Sequence, residues 1–179
     1  MKLVILDRDG VINEDSAEFI KSAAEFKPLT GSLEAIARLN HAGYRVFIAT
    51  NQSGIGRGLF GYDALGAIHD RLKRELAELG GRIDGIAIAP EHPDAASNLR
   101  KPAPGMLQDI ARRMQVDLAE ACFVGDSLRD IQAAQAAGAR PVLVRTGNGQ
   151  QTEDEADPAL AQVPVYDDLA AFVDAELAA

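Results

Sequence analysis

The stretch LVILDRDG at residues 3–10 is an apolar run that leads directly into two aspartates separated by one arginine. A short continuous apolar run of this kind is typical of a buried strand. Because such a strand delivers both carboxylates to one edge of a sheet, their negative charge is costly unless a metal ion or a positively charged ligand offsets it. The stretch therefore predicts a buried strand and a functional site where that strand ends.

Strand-like and helix-like patterns alternate through the rest of the chain. Further strands are predicted at residues 44–49, 85–89, 122–124 and 141–144. The spacing of apolar residues predicts helices at residues 32–41, 62–79, 104–114, 128–137 and 167–177. This alternation indicates an α/β fold with a Rossmann-like parallel sheet and helices on both faces. In such folds the ligand lies beyond the carboxyl ends of the strands.

The composition is that of one acidic domain. A length of 179 residues suits a single domain over residues 1–179. The formal net charge of −9 argues against nucleic acid or an anionic membrane as a partner, so an anionic substrate would need a local cluster of cations. The chain has no apolar stretch long enough to span a bilayer, no signal-peptide pattern and a single cysteine, Cys122. These features predict a cytoplasmic protein, and we expect it to be a monomer.

Asp7 and Asp9 are the first candidate catalytic residues. Side chains at positions i and i+2 of a strand point to the same side, so both carboxylates are expected at one edge of the sheet. One can serve as a nucleophile and metal ligand while the other serves as a general acid and base. By itself the pattern also fits an exposed turn with two solvated acids.

Two further polar motifs follow the second and third strands. The sequence TNQSG at residues 50–54 offers a hydroxyl, amides and main-chain N–H groups that can cradle an anion, although these residue types also favour an ordinary turn. Arg100 and Lys101 provide cations for phosphoryl oxygens, although an isolated basic pair is more often solvated. Each motif alone therefore leaves the function open.

The sequence GDSLRD at residues 125–130 follows the fourth strand. Asp126 stands at the strand end, and Asp130 lies one helical turn further on. Oxygen-rich acidic sites suit Mg²⁺, which binds through few carboxylates and keeps several waters. An ordinary helix N-terminus also favours acidic residues, but that alternative does not explain why three other polar motifs follow strands in the same chain.

The four motifs together resemble the signature of the haloacid dehalogenase superfamily of phosphotransferases. Asp-x-Asp-Gly, Thr-Asn, Lys-Pro and Gly-Asp-x3-Asp occur in that order, and the resemblance covers nearly the whole chain. It implies that Asp7 is the nucleophile that forms an aspartyl-phosphate, and that Asp9 protonates the leaving oxygen and then activates water. It also implies that Thr50 hydrogen-bonds the transferring phosphoryl group and that Lys101 neutralises its charge.

The same resemblance implies a magnesium site. Mg²⁺ would be held by Asp7, the main-chain carbonyl of Asp9 and Asp126, and Asp130 would orient Lys101 or a metal-bound water. In the fold of this superfamily the first and fourth strands are neighbours, which would bring Asp126 beside Asp7. These roles agree with the chemistry of phosphoryl transfer, which depends mostly on positioning and on charge stabilisation.

The spacing of the motifs leaves no room for a large cap domain. Members of the superfamily insert such caps after the first motif or before the lysine motif, where this chain has only about twenty and about ten residues, too few for a packed domain of ordinary size. We therefore expect an open site whose specificity is set by the loops at residues 13–26, 51–60 and 90–100.

A longer match is similar to the sugar-bisphosphate phosphatases of this superfamily. It consists of LDRDGVIN at residues 6–13, TNQSGIGRG at 50–58, RKP at 100–102 and GM at 105–106. The resemblance implies that the substrate is contacted by Asn51, Gln52, Ser53, Arg57 and Arg100, with an arginine on the phosphate that is not cleaved. Many members carry a zinc clip before Arg-Lys-Pro, but this chain has no cysteine there and only His92, so we expect no zinc.

The favoured interpretation is a Mg²⁺-dependent phosphomonoesterase that acts on a small-molecule sugar bisphosphate, with the anomer left open. Histidinol-phosphate phosphatases have a similar core and remain an alternative. A signalling receiver module also places aspartates near a parallel sheet, but it holds its aspartyl-phosphate instead of hydrolysing it. Residues 150–158 are predicted to be an acidic surface loop without a function.

Overall fold

The computed structural model describes residues 2–179. Its strands are β1 (Leu3–Leu6), β2 (Arg45–Asn51), β3 (Gly85–Ala89), β4 (Cys122–Gly125), β5 (Arg140–Val144) and β6 (Val165–Tyr166). They form one sheet in the order β3-β2-β1-β4-β5-β6, and every neighbouring pair is parallel. The predicted α/β fold with a parallel sheet is confirmed.

Helices cover both faces of the sheet. They are α1 (Ser32–His41), α2 (Ser53–Gly56), α3 (Tyr62–Glu78), α4 (Gly105–Met114), α5 (Leu128–Ala137), α6 (Gly149–Asp154) and α7 (Leu169–Ala178). Apolar residues of α1, α3 and α7 form one core cluster with the sheet, and those of α4 and α5 form a second cluster on the opposite face. The prediction of helices on both faces is therefore also confirmed.

Strand β1 is anchored on both of its faces. Val4 and Leu6 belong to the first core cluster, whereas Leu3 and Ile5 belong to the second. This alternation follows from the period of two residues in a strand. Because burying one such side chain stabilises the fold by about 1.5–3 kcal/mol, the four residues hold the end of β1 firmly.

The strand order places the functional motifs beside one another. Strand β1 pairs with β2 on one side and with β4 on the other. The chain therefore continues to opposite sides of β1, and the strand order reverses at this point of the sheet. The main-chain N–H of Asp7 extends the pairing by donating to the carbonyl oxygen of Val124, at 2.9 Å. The carboxyl ends of the three strands therefore meet at the place where doubly wound folds bind ligands.

The structure departs from the sequence predictions near the C-terminus. The loop prediction for residues 150–158 is wrong for residues 150–154, which lie in α6. This polar segment lacks the regular spacing of apolar residues that predicts a helix. It is stabilised instead by an ion pair between Arg145 and Glu153 and by a hydrogen bond from the Thr152 hydroxyl to the carbonyl oxygen of Asp126. The short strand β6 and the four-residue helix α2 were also not predicted. None of the helices within residues 2–179 combines the length and apolar character needed to cross a bilayer.

Candidate active site

A cleft of about 340 Å³ opens at the carboxyl ends of β1, β2 and β4. Most of the residues that the motifs singled out line its walls: Asp7, Asp9, Asn51, Gln52, Ser53, Arg57, Arg100, Lys101 and Asp126. Thr50 is fully buried behind the wall, where its Oγ1 accepts a hydrogen bond from Gln52 Nε2 at 2.9 Å. The structure thus brings all of the predicted site residues to one end of the sheet.

Lys101 lies at the centre of the buried charges. Its Nζ is 2.9 Å from Asp7 Oδ1 and 2.7 Å from Asp130 Oδ1, and it donates to the carbonyl oxygen of Ala49 at 3.0 Å. Burial alone would lower the pKa of Lys101, but the carboxylates of Asp130 and Asp7 outweigh it and raise the pKa above its ordinary value. The ammonium therefore keeps its positive charge and has three protein oxygens within 3.0 Å.

Asp130 connects Lys101 to the loop that carries Asp126. Its Oδ2 accepts hydrogen bonds from the main-chain N–H and the hydroxyl of Ser127, at 3.0 and 2.7 Å. The first of these bonds belongs to a capping box at the start of α5, in which the Ser127 side chain also accepts from the main-chain N–H of Asp130. Its Oδ1 faces Lys101. Asp130 therefore contacts Lys101 directly, which agrees with the first of the two roles that the resemblance implied for it, the orientation of Lys101.

The carboxylates of Asp7, Asp126 and Asp130 form a tight group in which one oxygen of each lies within 4.8 Å of the others. Burial, followed by the charge of Asp130, raises the pKa of Asp126 to about 7. The pKa of Asp7 is also well above its ordinary value, because burial and three neighbouring carboxylates outweigh Lys101. We call Asp7, Lys101, Asp126 and Asp130 the acid–lysine cluster.

The donor set of this cluster fits Mg²⁺. Asp130 forms an ion pair with Lys101 through Oδ1 and accepts hydrogen bonds from Ser127 through Oδ2, so Asp7 and Asp126 are the carboxylates with the most coordination capacity left. One oxygen of Asp126, Oδ2, is held by the main-chain N–H of Asn148 at 2.8 Å, which leaves Oδ1 for a ligand. Hard oxygen donors are what Mg²⁺ prefers, and a divalent cation would offset the repulsion that raises both pKa values. The main-chain carbonyl of Asp9 as a third ligand stays a prediction.

Two glycines allow the backbone to come close to Asp126. A Cβ at Gly10 or at Gly147 would collide with Asp126 Oδ2. Both glycines also have positive φ angles, +82° and +59°, which side chains disfavour. Gly10 belongs to the first motif, but Gly147 and Asn148 lie in the loop after β5, for which the sequence analysis offered no role.

The Asp9 carboxylate is surrounded by hydrogen-bond donors. Its Oδ1 accepts from the Arg8 guanidinium at 2.8 Å and from Asn13 Nδ2 at 2.9 Å, and its Oδ2 accepts from Gln52 Nε2 at 2.9 Å. Burial would raise the pKa of Asp9, but the charge of Arg8 and these hydrogen bonds hold it below its ordinary value. The free site therefore contains Asp9 as an anion.

Amide side chains in the TNQSG motif hold the site together from within. Asn51 Nδ2 donates to the carbonyl oxygen of Lys101, and its Oδ1 accepts from the Lys101 main-chain N–H, at 3.1 and 3.0 Å. Gln52 Nε2 bridges Asp9 and Thr50. Both amides line the cleft, as the predicted substrate contacts require. Their polar atoms also hydrogen-bond to the main chain of Lys101 and to the side chains of Asp9 and Thr50.

Three arginines line the cleft beyond the acid–lysine cluster. Arg57, Arg100 and Arg129 form what we call the arginine cluster, and Arg129 was quoted in a motif but assigned no role. Arg100 is 9% exposed, and its buried Nη1 has no hydrogen-bond partner within residues 2–179. Burial and then the charges of Arg129 and Arg57 lower the pKa of Arg100, which indicates a site in need of an anion.

The loop at residues 90–100, where a zinc clip was not expected, is held by hydrogen bonds. The Ser97 hydroxyl donates to Glu91 Oε1 at 2.6 Å, and His92 Nδ1 accepts from the main-chain N–H of Asp94 at 3.2 Å. The main-chain N–H of Gly56 donates to the carbonyl oxygen of Pro90 at 2.9 Å, which ties this loop to α2. The loop therefore has a defined path that brings Arg100 to the cleft.

Comparisons with known proteins agree with this geometry. A family model described as "HAD-hyrolase-like" matches residues 98–172. The D-glycero-beta-D-manno-heptose-1,7-bisphosphate 7-phosphatase of Bordetella bronchiseptica is 58% identical over 152 residues, which is 85% of either chain. The enzyme of the same description from Pseudomonas aeruginosa is 48% identical over 175 residues, covering 98% of this chain and 97% of that one.

A solved structure shows the same likeness in three dimensions. The crystal structure of D,D-heptose 1,7-bisphosphate phosphatase from B. bronchiseptica, complexed with magnesium and phosphate, matches with a TM-score of 0.97 and 53% sequence identity. The match covers 99% of both chains. The likeness therefore extends over the whole fold, including every element that carries a residue of the cleft.

Proposed function

The chain belongs to the D-glycero-beta-D-manno-heptose-1,7-bisphosphate 7-phosphatases of the haloacid dehalogenase superfamily, and on that premise we propose how its own residues perform the reaction. The protein is a Mg²⁺-dependent phosphatase that removes the 7-phosphate of D-glycero-D-manno-heptose 1,7-bisphosphate, a step in the biosynthesis of nucleotide-activated heptoses. The observation that carries the mechanism is the acid–lysine cluster at the end of β1.

We assign nucleophilic attack to Asp7. Its Oδ1 is held by Lys101 and by the main-chain N–H of Arg8, at 2.9 and 2.7 Å, which leaves Oδ2 to attack phosphorus. A bond forms between Oδ2 and phosphorus while the bond from phosphorus to O7 of the sugar breaks. Lys101 neutralises charge on the transferring group, and the buried Thr50 hydroxyl still has a proton to donate to it.

We assign the two proton transfers to Asp9. It gives its proton to the departing sugar oxygen and then takes one from the water that hydrolyses the aspartyl-phosphate of Asp7. The pKa of Asp9 lies below its ordinary value in the free site, so the protonated form depends on the negative charge that a bound phosphate brings close. Asp7, Asp126 and the main-chain carbonyl of Asp9 would hold Mg²⁺, which would supply positive charge beside the phosphoryl group.

We propose that the arginine cluster binds the 1-phosphate. Arg100, whose Nη1 has no hydrogen-bond partner within residues 2–179, lines the same cleft as the exposed Arg57 and Arg129, and a phosphate accepts bidentate bonds from guanidinium groups. Because the relatives are described as acting on the beta form of the heptose, we propose the β anomer as the preferred substrate. A cationic histidinol phosphate would instead place its ammonium group among like charges.

Substrate selectivity tests this assignment. We expect kcat/KM to fall in the order β-heptose 1,7-bisphosphate, α anomer, heptose 7-phosphate, histidinol phosphate, measured as released inorganic phosphate. Equal values for the bisphosphate and the 7-monophosphate would contradict the role of the arginine cluster.

Repeated turnover distinguishes the enzyme from a phosphoacceptor module. A monomeric state and a cytoplasmic location stay predictions, of which light scattering of the purified protein tests the first.

A further inference from the structure

Arg8 takes no part in the proposed reaction, although it lies between the two catalytic aspartates. It is fully buried, and burying a guanidinium is costly unless its charge and its N–H groups find partners. Its Nε and Nη2 donate to Asp9 Oδ1 at 3.2 and 2.8 Å. Its Nη1 lies 3.2 Å from Nε2 of His69, a buried residue of α3.

The chemistry of the two groups settles the direction of the Arg8–His69 hydrogen bond. A guanidinium has no acceptor, so His69 Nε2 must accept and the ring must be neutral with its proton on Nδ1. Burial, followed by the charges of Arg8 and Lys73, lowers the pKa of His69 to about 4, in agreement with a neutral acceptor. Helix α3 therefore contacts the catalytic end of β1 through one polar contact between residues 61 positions apart.

This contact determines which oxygen of Asp9 remains available. Oδ1 accepts from Arg8 Nε, Arg8 Nη2 and Asn13 Nδ2 and is saturated. Among the described residues 2–179, Oδ2 accepts one hydrogen bond, from Gln52 Nε2 at 2.9 Å, which leaves a lone pair for a proton. If Arg8 turned away, Oδ1 would lose two of its three donors and the carboxylate could rotate about its bond to Cβ.

We propose that Arg8 and His69 are a buried pair of positioning residues that hold Asp9 with Oδ2 towards the leaving oxygen. Arg8 orients the carboxylate, and His69 orients Arg8. The inference rests on the proposed role of Asp9 as general acid and base. It adds that the acid is held in place by α3 and does not depend on its own loop alone.

The dependence of the rate on the leaving group tests this inference. A sugar alkoxide needs a proton to depart, whereas p-nitrophenolate leaves without one, and kcat/KM reports only the steps up to this departure. His69→Leu removes the acceptor and keeps apolar bulk. Because general acid catalysis contributes about 10²–10⁴-fold, we expect His69→Leu to lower kcat/KM for the heptose bisphosphate about tenfold and that for p-nitrophenyl phosphate less than about twofold. His69→Gln, which keeps an acceptor, restores most of the loss.

Matched variants separate positioning from loss of stability. Leu72→Ala weakens the packing of the same helix through another buried residue, so it lowers Tm but affects both substrates alike. If His69→Leu does not fold, Arg8→Lys carries the same test, because one ammonium cannot reproduce the guanidinium fork. Equal losses on both substrates in the folded variant overturn the positioning pair. Equal losses in Asp9→Asn would instead overturn the proposed role of Asp9 itself, so the two failures are distinguishable.

Discussion

The acid–lysine cluster and the arginine cluster lie in one cleft but differ in how completely their charges are paired. Lys101 Nζ lies within 3.0 Å of three protein oxygens, and Asp130 forms an ion pair with Lys101 through Oδ1 and accepts hydrogen bonds from Ser127 through Oδ2. Arg100, in contrast, lies beside two like charges, and among residues 2–179 its buried Nη1 has neither a hydrogen-bond partner nor an ion-pair partner. The first cluster is organised before substrate arrives, as transition-state stabilisation requires, whereas the second is left to be completed by an anion.

The largest expected effect comes from removing the nucleophile of the acid–lysine cluster. Asp7→Asn keeps the shape of the side chain but removes the anionic oxygen that attacks phosphorus. We expect turnover of the heptose bisphosphate to fall by at least about a thousandfold, measured as phosphate release by the purified variant. Circular dichroism should show an unchanged fold. Substantial turnover by this variant would refute the mechanism assigned to the cluster.

Removal of the metal should make the negative charge of Asp126 in the same cluster destabilising. The pKa of Asp126 is about 7 in the folded protein, against an ordinary value near 3.9, so the folded state binds this proton more tightly than the unfolded chain. The contribution of Asp126 to the stability of the metal-free protein should therefore fall as pH rises from about 4 to about 7, whereas the lowered pKa of His69, about 4, makes stability rise over most of the same range. At pH 8 Mg²⁺ should restore stability by about 2.7 kcal/mol at a hundred times its Kd, measured as a rise in Tm.

A variant checks that this metal effect belongs to Asp126. In Asp126→Asn the fall that Asp126 causes should be absent, so the variant should gain stability relative to the wild type between pH 4 and pH 7. The rise in Tm with Mg²⁺ should shrink in the variant, and NaCl of matched ionic strength should not reproduce that rise. A chelator should also abolish phosphatase activity in the wild type, and Mg²⁺ should restore it. A wild type and an Asp126→Asn variant whose stabilities change in parallel between pH 4 and pH 7 without metal would contradict the burial argument.

The arginine cluster should govern substrate preference more than chemistry. Arg100→Ala removes a charged hydrogen bond to the 1-phosphate, so we expect a loss of about 1.5–3 kcal/mol, or roughly 10- to 150-fold, in kcat/KM for the bisphosphate. The value for heptose 7-phosphate should change far less. Arg112→Ala removes the same charge from an exposed position of α4 and serves as the control. Equal losses on both substrates would assign Arg100 to the reacting end.

The smallest effect is expected in the loop that carries Arg100. Ser97→Ala removes an exposed hydrogen bond from the Ser97 hydroxyl to Glu91 Oε1. The free energy of unfolding should therefore fall by less than about 1 kcal/mol. Differential scanning calorimetry measures this change.

Elemental analysis of protein purified without added metal should find no zinc. Stoichiometric zinc would show that this loop, like the acid–lysine cluster, depends on a metal.

Much of the active site could be predicted because its residues follow strands. The apolar run Leu3–Leu6 and the polar residues directly after it identify both β1 and its catalytic end. Since parallel strands share one carboxyl edge, Asp7, Lys101 and Asp126 could be expected together without knowledge of any contact. The segment at residues 149–154 could not be recognised as a helix, because its stability depends on Arg145 and on the main chain at Asp126.

The sequence by itself determined the alternation of five strands with five helices, the residues at the strand ends and, through the resemblance that these residues carry, the phosphatase chemistry. Only the tertiary structure decided which polar atoms are already paired and which are left for substrate. The side-chain amide of Asn51 bonds to the main chain of Lys101, and the guanidinium of Arg8 bonds to Asp9 and His69. Arg100 Nη1, in contrast, has no hydrogen-bond partner in the part of the chain that the structure describes. The physical reason is that a donor or acceptor is satisfied by whatever lies within about 3 Å of it, and in a buried site those partners come from distant parts of the chain.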